Sequence, residues 1–329
     1  MRQEFDVFAQ ENKGSASLSL SGLTVVILNW NGLQDTLQCL ASLASDVEAG
    51  LQVLVVDNGS GAPEADAIRT AFPGVSVIAT GENLGWAGGN NVGVRWALER
   101  GASHVLLLNN DTEVLPGAMC AVLRAAREIG PCLLHPSIYY FDEPSIAQLD
   151  PVANLPSASR DEPVLLDHAF GAALLIDRII FERVGLLDER FFLQLEETDY
   201  YRRAVKAGFA AYVIPAARVL HKESRSFGGR RVALKTYYIT RNSLLLSAKH
   251  EATWSGRLKA MRKLFWTLCN TAGHDIRQDG AAAGKWEMVR WLLWSASPFA
   301  HAARAALIHH VLRRYGRAQD TLTVRLARP

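Results

Sequence analysis

Four short apolar runs, each closed by small polar residues, constrain this chain more than anything else in it. "LTVVILNW", "LQVLVVD", "VSVIAT" and "HVLLLNND" are separated by segments of helical spacing, and they are continuous in Val, Ile and Leu instead of alternating. Strands covered by helices on both faces look like this, because neither face meets water. The expected fold is therefore α/β, with a mainly parallel sheet flanked by helices. The helices between the runs are punctuated. Leu33, Leu37, Leu40, Ala41 and Ala44 share a face, Gly101 is a left-handed stop after "NNVGVRWALER", and Pro116 opens a helix that Gly130-Pro131 ends.

Residues 142–163 carry four prolines with little periodicity and are expected to be an irregular surface connection. Order returns with "GAALLID" as a strand, "RIIFERVG" as a short helix, "ETDYYRRAVKAG" as a helix closed by Gly208, and "AAYVIP" and "ARVLH" as two further strands. Beyond Gly228-Gly229 the pattern is helical. Three segments follow: a disordered lead-in over 1–22, a catalytic-type α/β domain over 23–228, and a helical C-terminal region over 229–329. The lead-in places acids where a signal peptide needs an apolar core, so export is not expected. Charge divides at the same place: residues 1–224 hold 16 Lys and Arg against 28 Asp and Glu, while 225–329 hold 19 against 5. The four cysteines (Cys39, Cys120, Cys132, Cys269) have no C-x-x-C spacing and are expected to be free thiols in a reducing cytosol.

In an open α/β sheet, ligands bind beyond the carboxyl ends of the strands. This chain places "NWNG", "VDNGSG", "GENLGWAGGNN" and "NND" there. Each alone is ordinary turn chemistry; four at one edge point to a site. Asp57 is an acceptor-only carboxylate suited to the donor edge of a base or to ribose hydroxyls. Gly85, Gly88, Gly89 and Gly93 allow close backbone approach to a ligand, but neither G-x-G-x-x-G nor G-K-[ST] is present. If strand geometry persists, Asn109 and Asp111 point to one side, where Asp111 could ligate one Mg2+ or Mn2+. Glu196, Glu197 and Asp199 crowd one helix start; the helix dipole alone favours acids there, but three in four residues exceed what capping needs, and one could serve as a general base. His221 is either structural or a metal ligand.

In combination these segments resemble the inverting family 2 glycosyltransferases of GT-A fold, particularly the rhamnosyltransferase-like branch. The pieces that carry the resemblance are "VVILNWNG", "VVDNGSGAPE", "ENLGWAGGNNVGV", "LLLNNDTEV", "GAALLIDRIIFERVGLLDERFFLQLEETDYYRRAVKAGF" and "YVIPAARVLH", over about residues 23–228, with an echo in "YYITRNSLLLSAKH". The resemblance implies that Asp57 holds the nucleoside with Asn29 and Asn83 nearby, within a donor site that also takes in Gly85, Asn109 and Asn110. It implies that Asp111 and His221 ligate the metal bridging the donor diphosphate, and that Glu197 is the base, with Glu196 or Asp199 sharing the work. Two positions depart from the family pattern. Asn109 replaces the first acid of D-x-D, which removes one charged ligand, and Glu197 replaces the usual Asp.

The implied reaction is direct displacement by an acceptor hydroxyl, with inversion at the anomeric carbon. The donor is a dTDP-, UDP- or GDP-sugar, with rhamnose from dTDP-rhamnose the branch-level expectation, and the acceptor a glycan or polyprenyl-linked glycan. Arg225, in "KESRSFGG", is either part of a lid closing on the diphosphate or a residue of an ordinary basic loop. Five of the eight tryptophans (Trp254, Trp266, Trp286, Trp291, Trp294) lie in the basic tail, and its longest apolar stretch is broken by Pro298, His301 and Arg304. Helices lying on an anionic membrane surface, at the cytoplasmic face, fit this better than a spanning helix; the alternative is packing on the core or on a second subunit of a homo-oligomer. No nucleic-acid module accompanies the basic charge. Two other classes compete: an inactive nucleotide-sugar-binding scaffold, and a nucleotidyltransferase, which would want a basic glycine-rich loop at the first strand.

Overall fold

A computed structural model describes residues 19–148, 162–222, 233–277 and 281–318. In chain order its elements are β1 (Leu23–Asn29), α1 (Leu33–Ser42), α2 (Ala44–Glu48), β2 (Gln52–Asp57), α3 (Glu64–Ala71), β3 (Ser76–Ala79), α4 (Gly85–Glu99), β4 (His104–Asn109), β5 (Thr112–Val114), α5 (Ala118–Ile129), β6 (Leu133–Tyr140), β7 (Val164–Leu166), β8 (Ala173–Asp177), α6 (Arg178–Val184), α7 (Glu196–Lys206), β9 (Ala211–His221), α8 (Ala233–His250), α9 (Trp254–Arg277), α10 (Lys285–Trp294) and α11 (Pro298–Val311). The chain divides into two compact units. One takes the described residues of Met1–Asn83, Gly89–Leu187 and Tyr200–Ser226; the other takes those of Leu84–Gly88, Asp188–Asp199 and Phe227–Pro329.

The first unit holds a nine-stranded sheet of order β3-β2-β1-β4-β8-β6-β9-β5, with β7 paired to β9. Strands β3, β2, β1 and β4 are all parallel; the apolar runs of β1, β2 and β4 are buried as both-face coverage requires, while β3, at the sheet edge, is partly exposed. Beyond β4 the sheet is mixed: β8 runs antiparallel to β4 and β6, while β6 and β9 are parallel. The expected strands "AAYVIP" and "ARVLH" are one strand, β9, whose register against β6 shifts between Pro136 and Ser137. A bulge absorbs the irregularity that made the two pieces look separate. Leu20 lies buried in the core, ahead of β1, while residues 1–18 are outside the described chain.

The glycine-rich stretch is the first half of α4. A Cβ on Gly93 would collide with the Val26 side chain, and one on Gly89 with Leu28 and Asn58. These glycines let the helix lie close against the sheet, a packing demand that composition does not distinguish from a ligand demand.

The second unit contains α8–α11. One apolar cluster joins Leu264, Leu268, Cys269, Met288, Trp291, Ala300 and Ala303 across α9, α10 and α11. A second joins Leu193, Tyr237, Tyr238, Ala302 and Ala306, so α8 and α11 pack together. Ser297 caps α11 from its hydroxyl with Pro298 at the first turn, the usual start signal. All four cysteines are free.

Candidate functional site

In the first unit, the carboxyl ends of β1, β2 and β4 come together because these strands are parallel neighbours: Asn29 is in register with Asp57, and Leu28 with Asn109. Asn29 is fully buried and wholly engaged by protein. Its Nδ2 donates to Asp57 Oδ1 (3.2 Å), Ser60 Oγ (3.3 Å) and Glu64 Oε2 (2.8 Å), and its Oδ1 accepts from Thr36 Oγ1 (2.7 Å). It therefore serves as the frame of the site and does not face a ligand. Glu64, which the sequence reading passed over, also accepts from Gly32 N (3.2 Å) and ties the β1–α1 turn to α3. Asp57 is nearly buried; Ser60 Oγ and Asn29 occupy Oδ1, and Oδ2 accepts no hydrogen bond from the described residues. One carboxylate oxygen thus remains for a ligand donor.

Asn110 is buried and spends its Nδ2 on Gly32 O (3.3 Å) and Thr36 Oγ1 (3.0 Å), so it too supports the frame. Asn83 accepts from Asn58 Nδ2 (3.3 Å). Strand geometry does not continue past Asn109: Asn110 and Asp111 form a turn between β4 and β5, and the turn, not strand alternation, places Asp111. Lys222 N donates to Asp111 O (2.9 Å), and His221 Nε2 lies 3.3 Å from Asp111 Oδ1. Two residues 110 positions apart meet because β5 pairs antiparallel with β9, with Thr112 opposite His221.

Gln148, also unforeseen, orients the imidazole. Its Nε2 donates to His221 O (3.0 Å), so its Oε1, 2.9 Å from His221 Nδ1, acts as acceptor and places the ring hydrogen on Nδ1. Nε2 then faces the Asp111 carboxylate. Imidazole nitrogen with carboxylate oxygen would be a donor set for one divalent cation completed by phosphate and water, and an acceptor on the far ring nitrogen, here the Gln148 amide oxygen, fixes the ring for such a role. Among the described residues no group of three or more His, Cys, Asp or Glu gathers at one point, so these residues supply two such ligands at most. Arg225 lies outside the described residues.

The acidic turn belongs to the second unit. Phe192 (φ 63°), Gln194 (φ 71°) and Leu195 (φ 71°) are left-handed non-glycine residues just ahead of α7. Such conformations cost about 1–3 kcal/mol each and persist only where surroundings impose them. Gly85, with φ +76°, is where Phe192 lies too close to admit a Cβ, and Trp86 N donates to Phe192 O (2.7 Å); Gly85 is thus placed by backbone packing. Glu196 is buried with Oε2 unpartnered, and burial, then the charge of Glu197, push its carboxyl well above the ordinary range. Glu197 is half-buried, and desolvation raises its carboxyl as well, against the hydrogen bond from Thr198 Oγ1.

Asp199, the third acid of the turn, is enclosed by basic side chains. It is fully buried, accepts from His250 Nε2 (2.8 Å), and is held by Lys249 Nζ at 2.7 and 2.9 Å. Lys249 also reaches Asp188 (2.7 Å). Burial raises the Asp188 carboxyl, but hydrogen bonds from Arg190 and Lys249 outweigh it and hold the group well below the carboxylate range. Asp199 is an ionic anchor for α8, and no lone pair faces a substrate.

Residues 24–180 match the family described as "Glycosyl transferase family 2". An N-acetylglucosaminyl-diphospho-decaprenol L-rhamnosyltransferase of Mycobacterium tuberculosis is 28% identical over 267 residues, 70% of this chain and 83% of the relative. A dTDP-rhamnosyl transferase, RfbF, of Shigella flexneri is 23% identical over 265 residues, 76% of this chain and 87% of that protein. In fold, the chain is similar to S. aureus TarS residues 1–349 (TM-score 0.53, 13% identity, 89% of this chain and 81% of that one). The sheet has the GT-A fold. Over residues 24–180 the chain is similar to glycosyl transferase family 2, and the rhamnosyltransferase relatives agree with that match.

Proposed function

We propose that this glycosyltransferase moves rhamnose from dTDP-rhamnose to a hydroxyl of a polyprenyl-diphosphate-linked glycan, with inversion. The observation that carries the reading is the strand-end frame: Asn29 holds Asp57 so that one carboxylate oxygen stays open to the nucleoside, beside the buried Asp111–His221 pair. The two rhamnosyltransferase relatives support the donor, and the decaprenol-linked substrate in the name of one supports the acceptor class. Glu197 takes the proton of the attacking hydroxyl; its raised carboxyl is better matched to that task than an ordinary glutamate. Asp111 and His221, with Gln148 behind the imidazole, would hold Mg2+ or Mn2+, which when bound supplies Lewis-acid stabilisation of the leaving diphosphate. A single metal carboxylate and a Glu in the base position also suit a protein that binds donor without turning it over, and product release separates the two.

Membrane association is part of the same proposal. Among the described residues no helix is long and apolar enough to cross a membrane. The first turns of α9 are exposed on all sides, with Trp254 (82% exposed), Leu258 and Met261 on one stripe and Arg257, Lys259, Arg262 and Lys263 around it. Trp266, Trp286 and Trp294 are exposed too, whereas Trp291 is core and donates to Asp275. An apolar stripe ringed by cations fits an anionic lipid surface at the cytoplasmic face.

The test is thermal stabilisation and nucleoside diphosphate release across dTDP-, UDP- and GDP-sugars, with and without Mn2+, using polyprenyl-linked acceptors. Stabilisation and turnover with dTDP-rhamnose are expected. Stabilisation without release in every acceptor mixture would favour the binding-only reading, and turnover confined to another nucleotide sugar would overturn the donor assignment. Sedimentation with anionic vesicles, weakened by salt, is the expected membrane result.

A further inference from the structure

The segment "YYITRNSLLLSAKH" has no role in the reaction as described, yet it buries the largest polar side chains of the second unit. Asn242 is fully buried, and the two hydrogens of its Nδ2 are shared among three carbonyls of one loop: Phe191 O (2.8 Å), Leu193 O (2.7 Å) and Gln194 O (2.8 Å). Those carbonyls belong to the loop whose residues 192, 194 and 195 are left-handed, directly ahead of Glu196 and Glu197. Arg241, also fully buried, decides which way the amide faces. Its Nε (3.0 Å) and Nη2 (2.9 Å) both donate to Asn242 Oδ1, so the amide nitrogen must point to the loop. Nη2 adds hydrogen bonds to Arg190 O (3.1 Å) and Phe191 O (3.0 Å), and Nη1 to Gly316 O (2.7 Å).

We propose that Arg241 and Asn242 form a clamp that holds the left-handed backbone ahead of α7 and thereby positions Glu197. The proposal rests on Glu197 being the base. Two features separate it from ordinary helix packing. Among the described residues Arg241 makes no ion pair; the guanidinium is compensated by carbonyls, the Asn242 amide, the Tyr237 hydroxyl (3.3 Å) and the rings of Tyr237 (5.3 Å), Tyr238 (5.0 Å) and Tyr315 (6.0 Å). Burying a cation on those terms is costly, and an apolar pair would fill the same space more cheaply. The clamp also has a counterpart on the same helix: Lys249 and His250, two turns further along α8, grip Asp199 just after the base. One rigid helix therefore holds the chain on both sides of Glu196-Glu197, as a group that must stay in place to a fraction of an ångström requires.

The test compares the full-length chain with Asn242→Ala, Asn242→Ala with Gln194→Gly, and Glu197→Gln. Readouts are hydrogen exchange at amides 191–197, donor binding, and kcat and KM for dTDP-rhamnose with a polyprenyl-linked acceptor. Asn242→Ala is expected to speed exchange in that segment about 10-fold or more and to lower kcat ~100-fold with donor affinity unchanged. Gln194→Gly, which removes the cost of one left-handed residue, is expected to restore part of kcat. A purely structural role would lower stability without this split and without the glycine rescue. If Asn242→Ala does not fold, Arg241→Lys, which keeps the charge and frees the amide to rotate, replaces it with the same expectations. Unchanged exchange at 191–197 overturns the clamp, as does normal kcat in a folded variant when Glu197→Gln is inactive. Full turnover by Glu197→Gln instead overturns the base assignment, and with it the positioning role.

Discussion

The imidazole Nε2 of His221 lies 3.3 Å from Oδ1 of Asp111, and Gln148 holds the opposite ring nitrogen at 2.9 Å. If this pair binds the cation, Gln148→Leu should weaken Mn2+ binding by about 10–100-fold through loss of ring orientation. Asp111→Asn, which removes the charged ligand, should weaken it further. Titration of Mn2+ into the dTDP-bound protein, followed by calorimetry or electron paramagnetic resonance, checks both without recourse to turnover.

Removal of the base should be selective. Glu197→Gln is expected to lower kcat by about 10²–10⁴-fold, the range of a general base, with donor binding retained. Steady-state kinetics beside equilibrium donor binding measures the split. Because desolvation raises the Glu197 carboxyl above its ordinary 4.5, the rising limb of kcat against pH should sit above that value.

Glu196 should act on stability with the opposite sign. Its folded-state pKa is raised above the unfolded value, so the folded state holds this proton more tightly. That stabilisation is complete below the unfolded pKa and is lost as pH rises toward and through the folded one. A Glu196→Gln variant stays neutral, so its urea midpoint should fall less than wild type between pH 4 and pH 8. Parallel pH dependence in the two proteins would remove Glu196 from the protonated role.

Asp199 should prove structural. Asp199→Ala leaves Lys249 and His250 without their shared buried partner, and losing one member of such a set costs about 3–5 kcal/mol. Thermal or urea unfolding should show the loss, and the protein that remains folded should keep the pH profile of kcat.

Gly93→Ala should destabilise despite better helix propensity. The added methyl meets the Val26 side chain; overpacking costs about 1–3 kcal/mol, against about 1 kcal/mol gained from replacing a helical glycine. A lowered urea midpoint with unchanged slope is the expected result.

The strands β1 to β4 were legible because continuous Val, Ile and Leu runs report two-sided burial locally, and the polar residues at their ends followed from the same pattern. The second half of the sheet was less so. "LLHPSIYY" forms β6 although its proline and polar residues hide the strand, since Pro136 sits at the register shift against β9, where a ladder bond is dispensable. Gly88, Gly89 and Gly93 were open to two readings, because small size serves a ligand and a packed helix equally. Gln148 and Glu64 carried no local signal: each acts through a partner far away in the chain.

Periodicity, capping residues and the acidic and aromatic composition of short segments set the α/β architecture, the helical C-terminal region and the residue types available for chemistry, because those signals reside in neighbours along the chain. What each polar residue does was decided by contacts between distant segments. Asn29 became a frame and Asp199 an anchor because His250, Lys249, Thr36 and Glu64 consumed their hydrogen-bonding capacity. Asp57 kept one oxygen open, and Glu197 was raised toward base strength by burial that no spacing rule records. Desolvation and saturation of hydrogen bonds are properties of enclosed space, and space is enclosed only when the chain has folded.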